Sequence, residues 1–429
     1  MQCLGYWLIG ACRRAPCSPQ FAGDCHVPPP RVHIVFNYSV MLSIAVALAL
    51  APIVIATYAY LVYPLILWVI ASVRPTRSAA NASSHWPSVT ITVPVHNAVS
   101  NIRETLERLL ALDYPEDKLQ LLVISDASTD GTDDEVRALA AHGVELLRLP
   151  KRIGKTAAEN AALAVASGEI IVNVDATILV PAGSLKPLIR AFDDPTVGVA
   201  SGRDVSVGDI HHPGTSAESS YTSYEMWVRD LESRVGSIVG ASGCFYGIRR
   251  CIHAKALPAE LSWDFASPLV AREQGYRSVS VRAALCIVPR TPAIRTEITR
   301  KVRTMSRGLS TLFYLRALMN PFRYGTFSLM LISHKLLRWV PYILAPVALV
   351  ALCFLARESV VARVSLAVLL TAVIVGAIGI RSRSTPSRPI AAAGFLIGVF
   401  VAGFLAWCAA LRRTRMATWD PTPRRAVRA

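Results

Sequence analysis

The sequence carries no charge in four long stretches, although its net charge is +16. The first stretch covers residues 39–73, and three further apolar runs occupy about 339–356, 364–380 and 390–411. A helix of about 20 apolar residues crosses a bilayer, so runs of this length are typical of membrane spans. We therefore predict an integral membrane protein with one transmembrane segment within 39–73 and about three within 339–411.

The sequence also shows neither the cysteine and histidine spacing of a zinc site nor the pattern of a cleavable signal peptide. Residues 1–38 lack the charged and apolar regions of a signal peptide, so we interpret them as an N-terminal extension that is dispensable for function. The histidines at 211, 212 and 253 have no cysteine or carboxylate partner at ligand spacing. The cysteines of the extension fit no zinc pattern either; they are Cys3, Cys12, Cys17 and Cys25.

The excess of positive charge is concentrated beside the apolar runs. Arginines cluster at 74–77, 300–338 and 412–428, which indicates contact with membrane lipids rather than with nucleic acid. This distribution predicts a cell (inner) membrane protein whose domain between the spans is cytoplasmic. Three carboxyl-terminal spans would then place the basic tail, 412–429, on the far side. Either the last run is re-entrant, or the charge rule fails in this chain.

The region between the spans alternates between strand and helix patterns. Apolar strands are predicted at 89–95, 119–125, 144–150, 169–175 and 197–201, with helices between them. This order predicts an α/β domain over 86–300, with a doubly wound, mostly parallel sheet. Residues 301–338 alternate apolar and basic faces, which is typical of interfacial helices.

Polar residues close the predicted strands, at His96 and Asn97, at Asp126 and at Asp175. Ligands bind beyond the carboxyl ends of the strands in such sheets, so we expect the site there. No glycine-rich triphosphate loop follows the first strand, which argues against a nucleotidyltransferase. Lys155 stands at a predicted helix start, where a cation and backbone amides can meet an anionic group together.

The segments VTITVPVHN and LQLLVISDASTDGT resemble those of the family 2 glycosyltransferases, and the likeness extends from about residue 88 to 419. The resemblance implies a GT-A fold and a nucleotide-sugar donor. It implies that Pro94, Asn97 and Asp126 lie at the nucleotide, with Asp126 against the base, and that Lys155 meets the diphosphate. The alternatives are a turn rich in Asp and Ser and a merely solvated lysine.

The same resemblance implies a metal site and a catalytic base. Asp175 and Thr177 stand where the family carries its DxD motif, so a divalent cation, Mg²⁺ or Mn²⁺, is expected there. Asp264 matches the proposed general base, and its neighbour Trp263 replaces an acidic residue and offers a surface for sugar packing. The alternatives are a structural aspartate at 175 and a helix N-cap at 264.

Two further segments match the family less closely. Gly240, Ser242 and Gly243 resemble the acceptor-side segment, whose small residues let a substrate approach the backbone. Arg300 and Arg303 occupy the place of the QxxRW motif of processive synthases, without its Gln and Trp. They would stabilise the leaving diphosphate, or else belong to a basic interfacial helix.

These expectations define an inverting glycosyltransferase of the hexosyltransferase class. It would move a sugar from a nucleoside-diphosphate sugar onto a lipid-linked or polysaccharide acceptor, in polysaccharide biosynthesis at the cell envelope. Two alternatives stay open. One is a processive polysaccharide synthase, and the other is a non-catalytic membrane accessory subunit that keeps the fold.

Overall fold

The computed structural model describes residues 38–74, 85–207, 213–289, 294–381, 387–412 and 418. The chain divides into two compact units, Met1–Met41 and Leu42–Ala429. The sheet, the cavity and the carboxyl-terminal helices all belong to the second unit. Most of the predicted amino-terminal extension, most of the predicted basic tail, and the histidines at 211 and 212 lie outside the described residues.

Seven strands form one mixed sheet. They are β1 (Val89–Val95), β2 (Leu119–Ser125), β3 (Val144–Arg148), β4 (Ile170–Val174), β5 (Val197–Val207), β6 (Phe245–Arg249) and β7 (Arg277–Pro289). Their order is β3-β2-β1-β4-β6-β5-β7. The first four are mutually parallel, β6 is antiparallel to both of its neighbours, and β5 is parallel to β7. The predicted mostly parallel α/β sheet is confirmed.

Fourteen α-helices are assigned within the described ranges. They are α1 (Tyr38–Thr57), α2 (Tyr63–Val73), α3 (Ile102–Leu110), α4 (Thr132–Arg137), α5 (Lys155–Ala162), α6 (Leu185–Arg190), α7 (Pro213–Val235), α8 (Trp263–Glu273), α9 (Ile294–Tyr314), α10 (Pro321–Tyr324), α11 (Thr326–Leu331), α12 (Leu337–Leu355), α13 (Val360–Arg381) and α14 (Arg388–Leu411). Short π-helical turns join α1 to α2 and α11 to α12.

Both faces of the sheet are covered, because alternate residues of a strand point to opposite sides. Leu121 and Val123 of β2 belong to a large core cluster that includes the apolar face of α3. Leu122 and Ile124 belong to a separate cluster with α5. At about 25 cal/mol for each Å² of apolar area removed from water, this two-sided burial stabilises the parallel strands.

Four helical segments are long and apolar enough to cross a membrane: Tyr38–Val73, Thr326–Leu355, Val360–Arg381 and Pro389–Leu411. They agree with the four charge-free runs of the sequence, and the chain is a membrane protein. The second segment is continuous from α11 through the π turn into α12. Position 339, where the sequence suggested that interfacial helices give way to a span, is therefore not a helix boundary.

Candidate active site

A cavity of about 440 Å³ lies at the carboxyl ends of β1 and β4. It is bordered by the start of α5, the first turn of α8 and one face of α9. Seven of the nine side chains predicted from the sequence line it: Pro94, Lys155, Asp175, Thr177, Asp264, Arg300 and Arg303. Asn97 and Asp126 do not. This volume is within the usual range for ligand pockets, about 300–1,000 Å³.

Lys155 and Asp175 form the polar centre of this cavity. The Lys155 ammonium donates to Asp175 Oδ1 at 2.6 Å and to the Gly243 carbonyl at 3.2 Å. Burial opposes the charge of Lys155, but Asp175 and Glu159 outweigh it, so the pKa of Lys155 is raised. The ammonium thus keeps its proton at any physiological pH. The carboxylate that follows β4 and the cation at the start of α5 are thus paired with each other in the cavity.

Glu159 lies one helical turn after Lys155 and was not predicted as a site residue. Its side chain is 2% exposed, and its Oε1 lies 3.9 Å from Lys155 Nζ without a hydrogen bond. Burial raises the pKa of Glu159 to about 7, although Lys155 acts in the opposite direction. Its position at i+4 on a helix face was the available sequence signal.

Asp126 is buried behind the cavity rather than open to it. Its two carboxylate oxygens accept the backbone amides of Ile153 at 2.7 Å and Gly154 at 2.9 Å. These bonds fix the loop that delivers Lys155 at the start of α5, where Gly154 has φ +96°. The predicted contact with a base would need the second lone pair of one of these oxygens, so it stays a prediction.

The Asn97 side chain also bonds to the protein backbone and does not line the cavity. It follows β1 with φ +48°, and its side-chain oxygen accepts the amide of Thr129 at 2.8 Å. Ala127, after β2, has φ +54°. Left-handed backbone costs roughly 1–2 kcal/mol for a residue with a Cβ. Two such residues at adjacent strand ends indicate a loop pair held in shape by tertiary contacts.

Asp264 is the second residue of α8, whose N-cap is Ser262. Asp264 is therefore not the cap that the alternative interpretation required. Ser262 Oγ donates to Asp264 Oδ1, and the other oxygen faces Gly243. The carboxylate lines the same cavity as Lys155 and Asp175. This placement makes the carboxylate accessible from the cavity.

The prediction that Trp263 offers a surface for sugar is wrong. Trp263 is 1% exposed, stacks on His253 with a centroid distance of 3.8 Å, and donates its indole N–H to Asn160 at 2.8 Å. The side chain points into the core because the first turn of a helix places consecutive residues on different faces. Asp264 faces the cavity and Trp263 faces away from it.

Gly240 and Gly243 both line the cavity, so the expectation that these small residues admit a substrate stays a prediction. A Cβ at Gly240 would lie 3.2 Å from the end of Lys335, and one at Gly243 would lie 2.9 Å from Asp264 Oδ2. A larger residue at either position would therefore meet a protein side chain. The glycines let Lys335 and Asp264 approach the backbone.

Helix α9 supplies cations to the cavity. Arg300 and Arg303 line it, as does Arg307, whose guanidinium also donates to the Thr156 hydroxyl at 2.6 Å. Trp339 of α12 is a further lining residue and packs over Gly308. The aromatic ring in the cavity therefore comes from α12 and not from α9, where the place of the QxxRW motif lies. No local sequence motif indicated Trp339.

The carboxylates of the cavity can serve a divalent cation only together with other ligands. The described residues contain no cluster of three metal-ligating side chains. Asp175, Thr177 and Asp204 nonetheless line one cavity, and these hard oxygen donors suit Mg²⁺ or Mn²⁺. The sequence pattern did not indicate Asp204, because β5 extends beyond the predicted strand end at 201. The residues fit a metal that completes its coordination with phosphate oxygens and water.

Fold and cavity together define a membrane-attached α/β domain with a cavity lined by charged residues at its strand ends. Residues 90–255 match the model of Glycosyl transferase family 2. This part of the chain is a family 2 glycosyltransferase domain, and the resemblance seen in the sequence is confirmed.

Relatives with curated names are similar over part of the chain. An N-acetylglucosaminyltransferase of Rhizobium sp. (strain N33) is 28% identical over 31% of this chain and 30% of its own length. A pre-mycofactocin glycosyltransferase of Mycobacterium tuberculosis is 27% identical over 33% and 29%. A beta-monoglucosyldiacylglycerol synthase of Nostoc sp. is 26% identical over 41% and 39%. The chain thus spans about a third of the length of these relatives.

One solved structure covers nearly the whole fold. The mannosyltransferase PcManGT from Pyrobaculum calidifontis, in complex with GDP-Man and Mn²⁺, has a TM-score of 0.68 at 23% identity. The match covers 87% of this chain and 99% of that chain. It confirms the GT-A fold.

Proposed function

We propose that this protein is a membrane glycosyltransferase that moves a sugar from a nucleoside-diphosphate sugar to an acceptor at the membrane, with inversion. The observation that carries this proposal is the convergence of Lys155, Asp175 and Asp264 on one cavity of a family 2 domain. A fold without catalysis has no need for this set of charges at converging strand and helix ends.

The donor end of the cavity binds the diphosphate. Lys155 holds a permanent positive charge there, and Arg300 and Arg303 approach from α9. As the bond from the sugar C1 to the diphosphate oxygen breaks, negative charge develops on the leaving group. Fixed cations aimed at that charge lower the barrier more than they stabilise the ground state.

A divalent cation would be held by Asp175, with Thr177 or Asp204 as a further oxygen donor. When bound, it would neutralise charge on the two phosphates and so assist departure of the diphosphate. The Mn²⁺ in the PcManGT complex supports this choice of cofactor. Mg²⁺ serves the same chemistry with the same kinds of ligand.

Asp264 acts as the general base. The acceptor hydroxyl oxygen forms its bond to C1 from the face opposite the diphosphate, and its proton passes to the Asp264 carboxylate. Ser262 donates a hydrogen bond to one carboxylate oxygen and so orients the group. The products are an inverted glycoside, a nucleoside diphosphate and a protonated aspartic acid, which returns its proton to solvent.

The acceptor is a lipid-linked or glycan hydroxyl of the cell envelope. The cavity continues from Asp264 to residues of α7 and α12, among them Tyr221 and Trp339. Helix α7 packs against α2, the end of the first candidate span. The name of the beta-monoglucosyldiacylglycerol synthase supports an acceptor within the membrane.

We place the catalytic domain on the cytoplasmic side of the inner membrane, and the packing of α14 supports this placement. Near its start, α14 contacts the end of α13 through Gly394 and Gly379; near its end, the Trp407 indole donates to the Trp339 carbonyl at 2.8 Å. If α12 and α13 cross the membrane as a hairpin, these two contacts lie on the same side.

Helix α14 then lies along the membrane surface beneath α9 instead of crossing. The Lys301 ammonium is 5.3 Å from the Phe395 ring centroid, and Leu309 clusters with Ala406, so the two helices run in the same direction. Arg412 and the basic tail would share the side of the catalytic domain, as the positive-inside rule requires. A single cysteine at position 412 should react with a membrane-impermeant reagent only in inside-out vesicles.

The transferase proposal is tested with the full chain in nanodiscs. Nucleoside-diphosphate release is followed for UDP-, GDP- and dTDP-sugars with Mg²⁺ or Mn²⁺ and a membrane lipid extract. Release from one donor, lost in Asp264→Asn and retained in the exposed control Asp117→Asn, supports the proposal. A folded protein that binds no nucleotide sugar would instead support the accessory-subunit alternative. The length of the product distinguishes single transfer from processive synthesis.

A further inference from the structure

Two cations at the end of the cavity bordered by α7 and α12 form no direct ion pair with any described residue. The Arg229 Nε and Nη1 atoms are buried and form no hydrogen bond with any residue that the structure describes. The Lys335 ammonium lies 5.6 Å from the Phe265 ring centroid and makes no ion pair within the described ranges. Both side chains line the cavity. Buried charges without partners are rare because they cost free energy.

The nearby acidic residues are committed to other groups. Glu225 accepts from Arg338 and lies 3.1 Å from His334 Nε2. Glu232 accepts from Tyr63 at 2.6 Å and contacts the other ring nitrogen of His334. Burial opposes ionisation of Glu225, but Arg338 and His334 outweigh it and hold the pKa of that carboxyl well below its usual range. Both carboxylates attract Lys335 through space, but within the described residues neither forms a direct ion pair with Arg229 or Lys335.

The two cations lie on the acceptor side of Asp264. The Lys335 ammonium would lie 3.2 Å from a Cβ added to Gly240. Three residues further along the loop, Asp264 Oδ2 would lie 2.9 Å from a Cβ added to Gly243. Lys155 contacts the carbonyl of Gly243 from the donor end. Asp264 thus lies between Lys155 at the donor end of the cavity and the pair Arg229 and Lys335 at the other end.

We propose that Arg229 and Lys335 bind a phosphate in the head group of the acceptor lipid, which also carries the hydroxyl that Asp264 deprotonates. This inference rests on the proposed transferase function and deepens it. A phosphate oxygen would supply the acceptor atoms that both cations lack, and the planar guanidinium matches phosphate geometry. The ligand is an anionic lipid whose head group bears phosphate and a free hydroxyl.

Because Arg229 Nε and Nη1 bond to no described residue, we can also predict how a substitution of Arg229 changes the stability of the protein. A residue kept for structure loses stability on truncation, because its partners are left unsatisfied. Arg229→Met would leave no acceptor unsatisfied and would remove a buried charge, so its melting temperature should equal or exceed that of the parent protein. Loss of lipid binding together with retained stability is the signature of a ligand site.

The test compares an anionic lipid with a neutral one that lacks its phosphoglycerol head group. Dioctanoyl phosphatidylglycerol and dioctanoylglycerol both carry a free hydroxyl, and only the first is anionic. Their binding to the full chain in phosphate-free dodecyl maltoside micelles is measured by calorimetry. We expect the phosphatidylglycerol to bind roughly tenfold tighter or more, and Arg229→Met and Lys335→Met each to remove most of that preference. Lys335→Arg should retain it, as should the surface control Arg250→Met.

Equal binding of the two lipids, or an unchanged preference in both Met variants, would overturn the proposal. Inorganic phosphate that displaces the phosphatidylglycerol at comparable concentration would overturn the assignment to a lipid, since the site would then serve free phosphate. Nucleotide-sugar binding is measured in parallel. Its absence in the parent protein would refute the transferase function, whereas its presence without a lipid preference would refute this subsite alone.

Discussion

Glu159→Gln is expected to stabilise the protein increasingly as the pH rises. The Glu159 carboxyl is buried, one of its oxygens lacks a hydrogen bond, and its pKa is raised from 4.5 to about 7. Between these two values the folded protein binds more protons at this site than the unfolded chain does, so stability falls as pH increases. Gln has the same shape and no charge to desolvate.

The size of the effect follows from the pKa difference. Each unit corresponds to about 1.4 kcal/mol, so the full penalty above pH 7 is at most about 3 kcal/mol. The weak ion pair with Lys155, at 3.9 Å, reduces the gain from its removal. For a domain of this size 1 kcal/mol shifts the melting temperature by about 2–4 °C, so we expect a gain of several degrees at pH 8.

Melting temperatures of the parent protein and of Glu159→Gln in detergent, measured from pH 5 to pH 8, provide the assay. The difference between the two proteins should be small at pH 5 and should grow towards pH 8. Glu107→Gln, at an exposed site on α3, is the matched control and should show no such trend. A constant difference across this pH range would refute the claim that Glu159 is neutral at low pH and costly when ionised.

Three further experiments distinguish residues that act in the cavity from residues that only support its structure. Trp263→Phe should lower stability by about 1 kcal/mol through loss of the bond to Asn160, with unchanged donor preference; a changed preference would return Trp263 to the sugar site. Gly243→Ala, whose Cβ would lie 2.9 Å from Asp264 Oδ2, should lower kcat tenfold or more with little effect on donor binding, and a normal kcat would show that Asp264 tolerates displacement. Titration of Mn²⁺ should show weak binding alone and tight binding with a nucleoside diphosphate, since the described residues hold no three-ligand cluster; equal affinities would contradict a site completed by phosphate.

Several parts of the candidate site were accessible from the sequence because they depend on local pattern. The apolar strand at 89–95 predicts β1, and the polar residues at strand ends and at a helix start predict Asp175 and Lys155 at one edge of the sheet. Asp264 was assigned from the family resemblance and not from local pattern. The charge-free runs predict the four membrane-length helices, since spanning length and hydropathy are properties of contiguous residues.

The tertiary structure decided which polar groups remain available to a ligand. Asp126 and Asp175 look alike as carboxylates after apolar strands, yet only Asp175 lines the cavity, because backbone amides nearly 30 residues further along occupy Asp126. Trp263 and Asp264 are neighbours that face opposite ways once α8 forms.

The two unpartnered cations illustrate the same limit. Arg229 and Lys335 are about a hundred residues apart and belong to helices that meet only when α7 packs against the carboxyl-terminal helices. Whether a charge is paired depends on every side chain around it in space, which no spacing along the chain encodes. Sequence by itself determined the fold class, the membrane-length helices and most of the cavity residues named in advance, whereas packing alone determined which of the described charges lack a direct partner.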